Sequence, residues 1–325
     1  MRRLNELSLD KKDRQLLYLL DLDGRMNYSQ LAKKTRMSKQ LVKYRTERLE
    51  KEGFIKGYFT MIDTSRLGFT TFRVYLKFRN LTPEKKNKIV EYLKNQKSIW
   101  AVVLIAGKWD LALGIAVKDI YDFYKIWDKL LEDYLDLIGD YKISIYSPIY
   151  HYAKKYLSED HKESVIRVLG GNEKVDYDDK DIKLLIALSK DARASLLDLS
   201  SLLKATPESI SYRIKQLEKK GIIQGYRAMI NVHKLDYEFY KAEIRLSSYN
   251  DIDKIYSFCH NHTNIYQVDK TIGGETLEIE FHVRSLKEML KIIEEFEKVF
   301  PKVIERFDYI TVLSEEKTTY MPDID

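Results

Sequence analysis

Two periodicities of hydrophobic residues follow one another along this chain. In residues 11–22, apolar residues recur every three or four positions among charged ones, which predicts an amphipathic helix. The same spacing predicts a short helix over residues 28–34 and a third helix from Ser38 to about residue 52. From residue 72 to residue 78, apolar and polar residues alternate instead, which is typical of a half-buried strand.

Local signals mark the ends and the faces of the third helix. Ser38 is a favourable N-cap, and Gly53 suits the C′ position because glycine adopts a positive φ without strain. Val42, Thr46 and Leu49 form its inward stripe, so the opposite, basic face is exposed. A short helix, a tight turn and a helix with a polar outer face predict a helix-turn-helix, and residues 55–62 predict a short β wing.

The whole pattern occurs twice. Residues 9–67 and 177–235 correspond at an offset of 168, so that Gly53 matches Gly221, and later segments correspond at an offset of 166. This repeat is far longer than the roughly 20–50 residues of a solenoid unit. The chain is therefore a duplicated set of domains, and we expect it to fold as a pseudo-dimer with twofold pseudosymmetry.

Each helix-turn-helix is followed by elements in the order β-α-β-β-α-β, which predicts a ferredoxin-like domain and an α+β fold class. The helices of such a domain cover one face of its sheet, so we expect the two bare faces to meet within the chain. In the two copies those faces would carry Arg73, Tyr75 and Ala112, and Glu243, Arg245 and Glu280. The predicted parts are winged helix-turn-helix domains at residues 1–62 and 175–230, ferredoxin-like effector and oligomerisation domains at residues 68–157 and 236–325, and a linker at residues 158–174.

Composition narrows the class of protein. The 325 residues include one cysteine, Cys259, so the sequence has no disulfide framework and favours a reducing compartment. No apolar run approaches the roughly 18 residues of a membrane span, and the first residues do not form the apolar core of a signal peptide. We therefore expect a cytoplasmic protein with no membrane partner.

Positive charge is concentrated in the first helix-turn-helix. The whole chain carries a formal net charge of +6. Residues 1–62 hold 15 Lys and Arg against 8 Asp and Glu, a net charge of +7, whereas the equivalent residues 169–230 hold 11 against 9, a net charge of +2. The excess suits a polyanionic partner such as double-stranded DNA, although a solvated lysine-rich surface has the same composition.

The exposed face of each helix-turn-helix supplies the candidate DNA-binding residues. Long cationic and amide side chains at the start of such a helix suit the acceptors on base edges. The candidates of the first copy are Lys33, Lys34, Ser38, Lys39, Gln40, Lys43, Tyr44, Arg45, Arg48 and Lys56. Those of the second copy are Thr206, Glu208, Ser209, Ser211, Tyr212, Arg213 and Lys215.

These residues resemble the Lrp/AsnC family, the leucine-responsive or feast/famine regulators. The resemblance rests on the paired segments around Arg45 and Arg213, on Leu49-Glu50 and Gly53-Phe54-Ile55 with their second-copy equivalents, and on the hairpin Gly107-Lys108-Trp109-Asp110. It implies a sequence-specific DNA-binding regulator that responds to an amino acid or other small-molecule effector. The second copy departs from the family pattern at the hairpin, because Thr276 stands where the first copy has Asp110.

The candidate effector-binding residues lie on the hairpins and on one strand. They are Gly107, Asp110 and Gly273 at the turns, and Glu278, Glu280 and His282 at alternate positions of a strand, where they share one face. Their copy-one counterparts are small and apolar. This face is either a polar pocket or metal site between the sheets, or a solvated or ion-paired surface opposite Arg73, Arg245 or Lys77.

Two other functions compete with the regulator hypothesis. Siroheme decarboxylases resemble this family in both domains, but their His-Asn-Tyr run with a nearby Arg has only the poor match Asn264-Ile265-Tyr266-Gln267 here. An architectural DNA-binding scaffold would bind DNA without an effector. Because the sequence contains no catalytic constellation and no histidine at zinc spacing with the cysteine, we expect a protein that is not an enzyme and has no cofactor or metal.

Overall fold

The computed structural model describes residues 9–159 and 165–323. The start of the first predicted domain, residues 160–164 of the predicted linker and the last two residues lie outside the described residues. The helices are α1 (Lys11–Leu22), α2 (Tyr28–Thr35), α3 (Lys39–Lys51), α4 (Pro83–Lys94), α5 (Ile120–Tyr134), α6 (Asp179–Lys190), α7 (Leu196–Leu203), α8 (Pro207–Lys219), α9 (Ile252–Asn261) and α10 (Leu286–Val299). The strands are β1 (Ile55–Ile62), β2 (Thr70–Phe78), β3 (Ile99–Gly107), β4 (Leu111–Val117), β5 (Ile138–His151), β6 (Arg167–Leu169), β7 (Ile223–Ile230), β8 (Glu238–Leu246), β9 (Ile265–Ile272), β10 (Leu277–Val283) and β11 (Ile304–Thr318).

The first head (α1–α3) and the second head (α6–α8) begin and end their helices as the sequence predicts. The Ser38 hydroxyl accepts a hydrogen bond from the Leu41 N–H at 3.2 Å, and Thr206 caps α8 in the same way. Gly53 and Gly221 follow their helices with φ values of 72° and 69°, the left-handed region that favours glycine. The predicted caps are therefore confirmed in both copies.

The predicted wing strand is confirmed as β1, and it has a partner in the other copy. β1 pairs antiparallel with β7, its equivalent in the other copy, so the two heads share a two-stranded ribbon. Each head completes its hydrophobic core with the other copy's strand, because Leu16 packs in one cluster with Ile230 and Leu184 packs in another with Ile62. The heads are therefore held together by backbone pairing and by shared apolar burial.

The ferredoxin-like fold is confirmed in both copies. The first copy forms a sheet in the order β5-β2-β4-β3, and the second forms a sheet in the order β11-β8-β10-β9. The helices pack on one face of each sheet over two separate apolar clusters, one around Phe123 and Trp127 and the other around Phe296. The remaining faces look toward each other, as the sequence analysis expects.

The two sheets also join edge to edge, which the sequence analysis does not anticipate. The first half of β5 pairs with β2 and its second half pairs with β9 of the other copy. In the same way β11 pairs with β8 through its first half and with β3 of the other copy through its second half. The eight strands therefore close into a barrel, with the helices outside and the formerly bare faces inside.

The joints between heads and barrel differ on the two sides of the pseudo-twofold axis. On one side Asp21 is fully buried, and its carboxylate binds Arg227 in a bidentate pair at 2.6 Å and Lys154 at 2.9 Å. At the equivalent joint the three positions are Ser189, Phe59 and Tyr320, and the last two rings stack at 4.2 Å. One joint is therefore ionic, and its twin is largely aromatic.

Charge balance in the ionic joint depends on Asp21. Burial alone would raise the pKa of Asp21, but Arg227 and Lys154 hold the pKa of that carboxyl far below its usual range. Burial and the charge of Arg227 lower the pKa of Lys154 to about 8. Removing the carboxylate would leave two buried cations without a counter-ion, which is the costly way to break a buried pair.

We expect Asp21→Asn to lower the free energy of unfolding by about 3–5 kcal/mol at pH 7, measured by urea denaturation of the full chain. The contribution of Asp21 is present above the pKa of an unfolded aspartate and is lost as the pH falls through the depressed folded-state pKa. The variant and the wild type should therefore become closer in stability in strong acid.

The chain supplies its own control for this prediction. The triple variant Asp21→Ser, Lys154→Tyr and Arg227→Phe copies the aromatic joint into the ionic one. Because no buried charge is left unpaired, it should lose far less stability than the single variant. Equal losses in the two variants would contradict the assignment of the joint's stability to charge balance.

Candidate nucleic-acid interface and internal cavity

The first head presents an uninterrupted polar face at the turn and along the start of α3. The exposed predicted contacts there are Lys33, Lys34, Ser38, Lys39, Gln40, Lys43 and Tyr44. The side chain of Tyr44 is the most prominent apolar group on this face, at 63% exposed. The helix geometry therefore brings together cations, an amide and an aromatic ring on one accessible surface, although DNA contact itself stays a prediction.

The second head has the same shape with different chemistry. Thr206, Glu208, Ser209, Tyr212 and Lys215 are exposed, whereas Ser211 is half-buried. The basic residues of α2 are absent from α7, which exposes Leu197 and Leu202 at 72% and 64%. Leu202 occupies the position equivalent to Lys34. The second face is therefore less basic and more apolar than the first.

Three predicted DNA contacts are instead engaged by carboxylates of their own heads. Arg45 binds Asp10 at 2.7 Å and Asp13 at 2.8 Å, and Arg48 binds the same buried Asp13 at 2.6 Å. In the second head Arg213 binds Asp178 and Asp181 at 2.8 and 2.7 Å. These arginines tie the recognition helix to the N-terminus of the first helix, because each partner belongs to a helix capping box.

Lys56 is exposed, but its setting differs from the predicted wing. It lies on β1, at the irregularity where the ribbon register shifts between Ile55 and Gly57. A contact with phosphate from this position stays a prediction. The ribbon holds its backbone more firmly than a free wing would.

The hairpin turns use their polar side chains for structure. Asp110 is paired with Lys77 at 2.8 Å, and its second oxygen accepts a hydrogen bond from the Phe78 N–H at 2.8 Å. In the second copy the Thr276 hydroxyl accepts one from the Leu246 N–H at 3.1 Å. Residues 78 and 246 are equivalent. Asp110 and Thr276 therefore have the same structural role, because each accepts a hydrogen bond from the backbone N–H at this position.

The predicted effector residues are not brought together at one place. Gly107 and Gly273 have φ values of 120° and 82° and shape the two hairpins. Glu278, Glu280 and His282 share one buried face inside the barrel, as predicted, but only Glu280 lines the internal cavity. His282 accepts or donates a hydrogen bond with the Tyr156 hydroxyl at 2.7 Å and stacks on Tyr266.

The sequence analysis misses the cation that holds this face. Lys241 lies inside the barrel and binds three carboxylates, Asp269 and Glu278 at 2.8 Å and Glu280 at 2.9 Å. The face is thus ion-paired rather than solvated, and its partner is not Arg73, Arg245 or Lys77. Lys241 could have been found from the period-two pattern, since it lies opposite Glu280 in the β8–β10 ladder.

Contacts from the first copy complete this network. The hydroxyl groups of Tyr75 and Tyr146 both donate to Glu278, the former at 2.9 Å. Lys142 of the first copy pairs with Glu243 of the second, whereas Arg245 pairs with Glu275. Burial alone would raise the pKa of Glu278, but Lys241 and Lys142 lower it to about 2. Polar bonds therefore join unlike residues of the two copies within the chain.

A cavity of about 560 Å³ lies inside the barrel and reaches the underside of the head ribbon. Its deep wall includes Arg73, Lys241 and Glu280, and its outer part includes Phe59 of β1. This volume lies within the usual range of roughly 300–1,000 Å³ for small-molecule sites. The cavity therefore connects the interior of the barrel with the strand that joins the two heads.

Among residues 9–159 and 165–323, no group of three or more His, Cys, Asp and Glu side chains is placed to hold a metal ion. In the same part of the chain, no helix combines the length and the apolar character needed to cross a bilayer.

We expect Arg45→Ala to act on stability and not on ionic contacts with DNA. Loss of its two carboxylate bonds should destabilise the chain by about 1.5–3 kcal/mol, because hydrogen bonds to charged groups are worth that much. The measurements are urea denaturation and the slope of log affinity for DNA against log salt. If the variant kept the wild-type stability and log affinity fell less steeply with log salt, Arg45 would be a DNA contact after all.

Comparison with known proteins gives a domain profile that matches both halves of the chain and relatives that each match about a third of it. A sequence profile described as winged helix-turn-helix DNA-binding matches residues 9–56 and 177–224. An uncharacterized HTH-type transcriptional regulator of Pyrococcus abyssi is 30% identical over 126 residues, which are 38% of this chain and 84% of the relative. The HTH-type transcriptional regulator LrpA of Pyrococcus horikoshii is 29% identical over 118 residues, 36% of this chain and 82% of the relative.

The whole-chain architecture matches solved structures of an enzyme. The siroheme decarboxylase NirDL matches with a TM-score of 0.62 over 96% of this chain and 94% of that one, at 10% identity. Its complex with an iron-uroporphyrin III analogue matches with a TM-score of 0.61. At this identity the likeness shows the fold alone. The expectation that the chain is not an enzyme is nevertheless contradicted, because an enzyme has this complete two-copy fold.

Proposed function

We propose a function that follows from the family of this chain. The chain belongs to the Lrp/AsnC helix-turn-helix transcriptional regulators and carries two tandem copies in one polypeptide. It is a DNA-binding regulator of transcription. The observation that carries the proposal is the polar face of α3 in the first head, where the side chains of Lys39, Gln40 and Lys43 are exposed to solvent. The finer proposals concern which head binds, what it reads and what regulates it.

The first head supplies most of the contacts with phosphate. Its exposed Lys33 and Lys34 have Ser201 and Leu202 as counterparts, so the equivalent surface of the second head lacks both charges. Phosphate neutralisation dominates the affinity of DNA-binding proteins and makes it fall with salt. A chain with one basic and one nearly neutral head therefore binds through one strong and one weak half-site.

The start of α3 reads base edges. A recognition helix places its N-terminal residues in the major groove, where lysine suits guanine and glutamine suits adenine. In the first head these positions hold Lys39, Gln40 and Lys43, whereas Glu208 takes the place of Gln40 in the second. An acidic side chain accepts hydrogen bonds from cytosine and repels phosphate, so the two heads recognise different sequences. The operator of a single chain is therefore asymmetric.

The chain acts as a pseudo-dimer and responds to a small molecule. The shared ribbon and the closed barrel join the two copies within one polypeptide, as a twofold interface joins two identical subunits. The cavity beneath the ribbon offers a place from which an effector would reach both heads. An architectural scaffold would need no such cavity, which favours an effector-responsive regulator.

We expect Lys33→Ala/Lys34→Ala to weaken binding to all DNA and to flatten its dependence on salt. Each phosphate contact contributes about 0.9 to the slope of log affinity against log salt, so the double variant should lose up to about 1.8. Fluorescence anisotropy with a duplex at several salt concentrations measures both quantities. The control is Lys287→Ala/Lys291→Ala, which removes the same charge from exposed positions of α10. An identical slope for both variants would refute the assignment to the first head.

We expect Gln40→Ala to relax base preference in one half-site only. Each base pair it reads should lose about 1–3 kcal/mol of discrimination, measured by selection of bound sequences from a random duplex library. Glu208→Ala, the equivalent change in the second head, should leave that half-site unaltered. If both variants return the wild-type sequence preference, the docking of α3 in the major groove is wrong. If both change the same half-site, the asymmetric operator is wrong.

A further inference from the structure

One buried cation inside the barrel has no salt-bridge partner in the described part of the chain. Arg73 lies on β2, is 9% exposed and lines the cavity. No acceptor in the described part of the chain hydrogen-bonds its buried Nε, and no carboxylate there lies within 4 Å of its guanidinium. Its nearest favourable contact is the ring of Tyr146, 4.6 Å from the guanidinium carbon. Buried charges are normally paired, so the guanidinium of Arg73 is unusual in lacking a carboxylate.

The duplication provides an internal reference for this position. Lys241 is the second-copy equivalent of Arg73, and it binds three carboxylates at 2.8–2.9 Å. The positions equivalent to those carboxylates in the first copy are Val103, Ala112 and Gly114. The ladder is preserved, because Arg73 lies opposite Gly114 as Lys241 lies opposite Glu280. The first copy thus keeps the cation without these three carboxylates: Val103 and Ala112 line the cavity, whereas the Trp100 ring fills the space beside Gly114.

The walls of the cavity define what would fill it. Around Arg73 the cavity is lined by apolar side chains from both copies: Ala101, Val103, Ile105, Ala112, Ile310 and Val312. The other charged groups on the wall are engaged, since Lys154 and Arg227 bind Asp21 and Lys241 binds Glu280. Glu315 lines the same cavity beyond salt-bridge distance from Arg73, so a second anionic group on a ligand would meet repulsion. The complementary molecule has one carboxylate and an apolar body.

We propose that the barrel cavity is a binding site for a small monocarboxylate with an apolar body, whose carboxylate pairs with the Arg73 guanidinium. A planar guanidinium binds a carboxylate through two parallel hydrogen bonds, and the pair gains strength away from water. This site deepens the proposed function, on which it rests, because it gives the regulator an effector class. Of the predicted effector residues only Glu280 lines this cavity, and those of the hairpin turns do not.

The position of the cavity links its occupant to the heads. Phe59 of the head ribbon lines the cavity, and its ring stacks on Tyr320, which also lines it. Trp100 stacks on the other side of Tyr320 at 6.0 Å. A ligand bound at Arg73 therefore fills the space under the ribbon that orients both recognition helices. The same geometry makes Trp100 a reporter of occupancy.

The test uses the full chain and three acids: butanoate, hexanoate and phenylacetate, each compared with its primary amide. Binding is followed by the melting temperature and by tryptophan fluorescence. At least one acid should raise the melting temperature and change the fluorescence, and its amide should do neither. Adipate should bind more weakly than hexanoate because of Glu315. An absence of response to all three acids, or equal responses to an acid and its amide, would overturn the proposal.

Two variants identify the cation that is responsible. Arg73→Met removes the guanidinium, and Val103→Asp restores the carboxylate that the second copy has at Asp269. Both should weaken acid binding by about 10–100-fold, whereas Val103→Asn, which has the same shape without the charge, should retain it. If Arg73→Met does not fold, the comparison of Val103→Asp with Val103→Asn decides. Wild-type affinity in Val103→Asp would exclude Arg73 as the binding group.

Failure of this site and failure of the regulator proposal give different results. DNA binding is measured without any acid, by anisotropy, on the same preparations. A chain that binds DNA but no monocarboxylate loses only the effector site. A chain that binds monocarboxylates through Arg73 but binds no duplex keeps the site and loses the regulator function.

Discussion

Two strands that each serve both sheets hold this molecule together. β5 and β11 begin in the sheet of their own copy and end on the edge of the other copy's sheet. Sheet edges carry unpaired N–H and C=O groups, and pairing within the chain satisfies them without a second molecule. The closed barrel, its internal cavity and the position of the head ribbon above it all depend on this exchange. A half of the chain would keep its ferredoxin-like order but would expose two edges and one bare face.

Duplication gives this fold symmetry, and substitution has then removed the symmetry at the positions that carry charge. The cation at residues 73 and 241 is kept while its counter-ions remain in one copy only. The joint around Asp21 is ionic, and its twin around Ser189 has stacked rings. At the Asp21 joint all three positions differ from their twins, so the aromatic joint leaves none of the three charges behind. The asymmetry of the heads, basic in one and nearly neutral in the other, belongs to the same pattern.

Prediction from sequence succeeded where one local signal decided the outcome. The caps at Ser38 and Thr206 and the glycines after both recognition helices need only neighbouring backbone, and the period-two pattern placed Glu278, Glu280 and His282 on one buried face. It failed where the partner comes from elsewhere in the chain. Arg45 looked free because Asp13 lies 32 residues away, and Lys241 was not named although it shares the inward face of β8 with Glu243 and Arg245. The siroheme decarboxylases were considered from the sequence and set aside because Asn264-Ile265-Tyr266-Gln267 matches their motif poorly, and only the complete fold shows the likeness to that enzyme.

The sequence by itself determined the two copies, the helix-turn-helix in each head, the ferredoxin-like order of elements and the unequal charge of the two recognition faces. These follow from periodicity, capping and composition, which act over a few residues. Only the tertiary structure decided that β1 pairs with β7, that the sheets close into a barrel and that Arg73 pairs with none of the carboxylates described inside it. Those features arise from pairings between residues far apart in the chain. The partner of a strand edge or of a buried charge is the group that lies next to it in the folded chain, whatever its distance along the sequence.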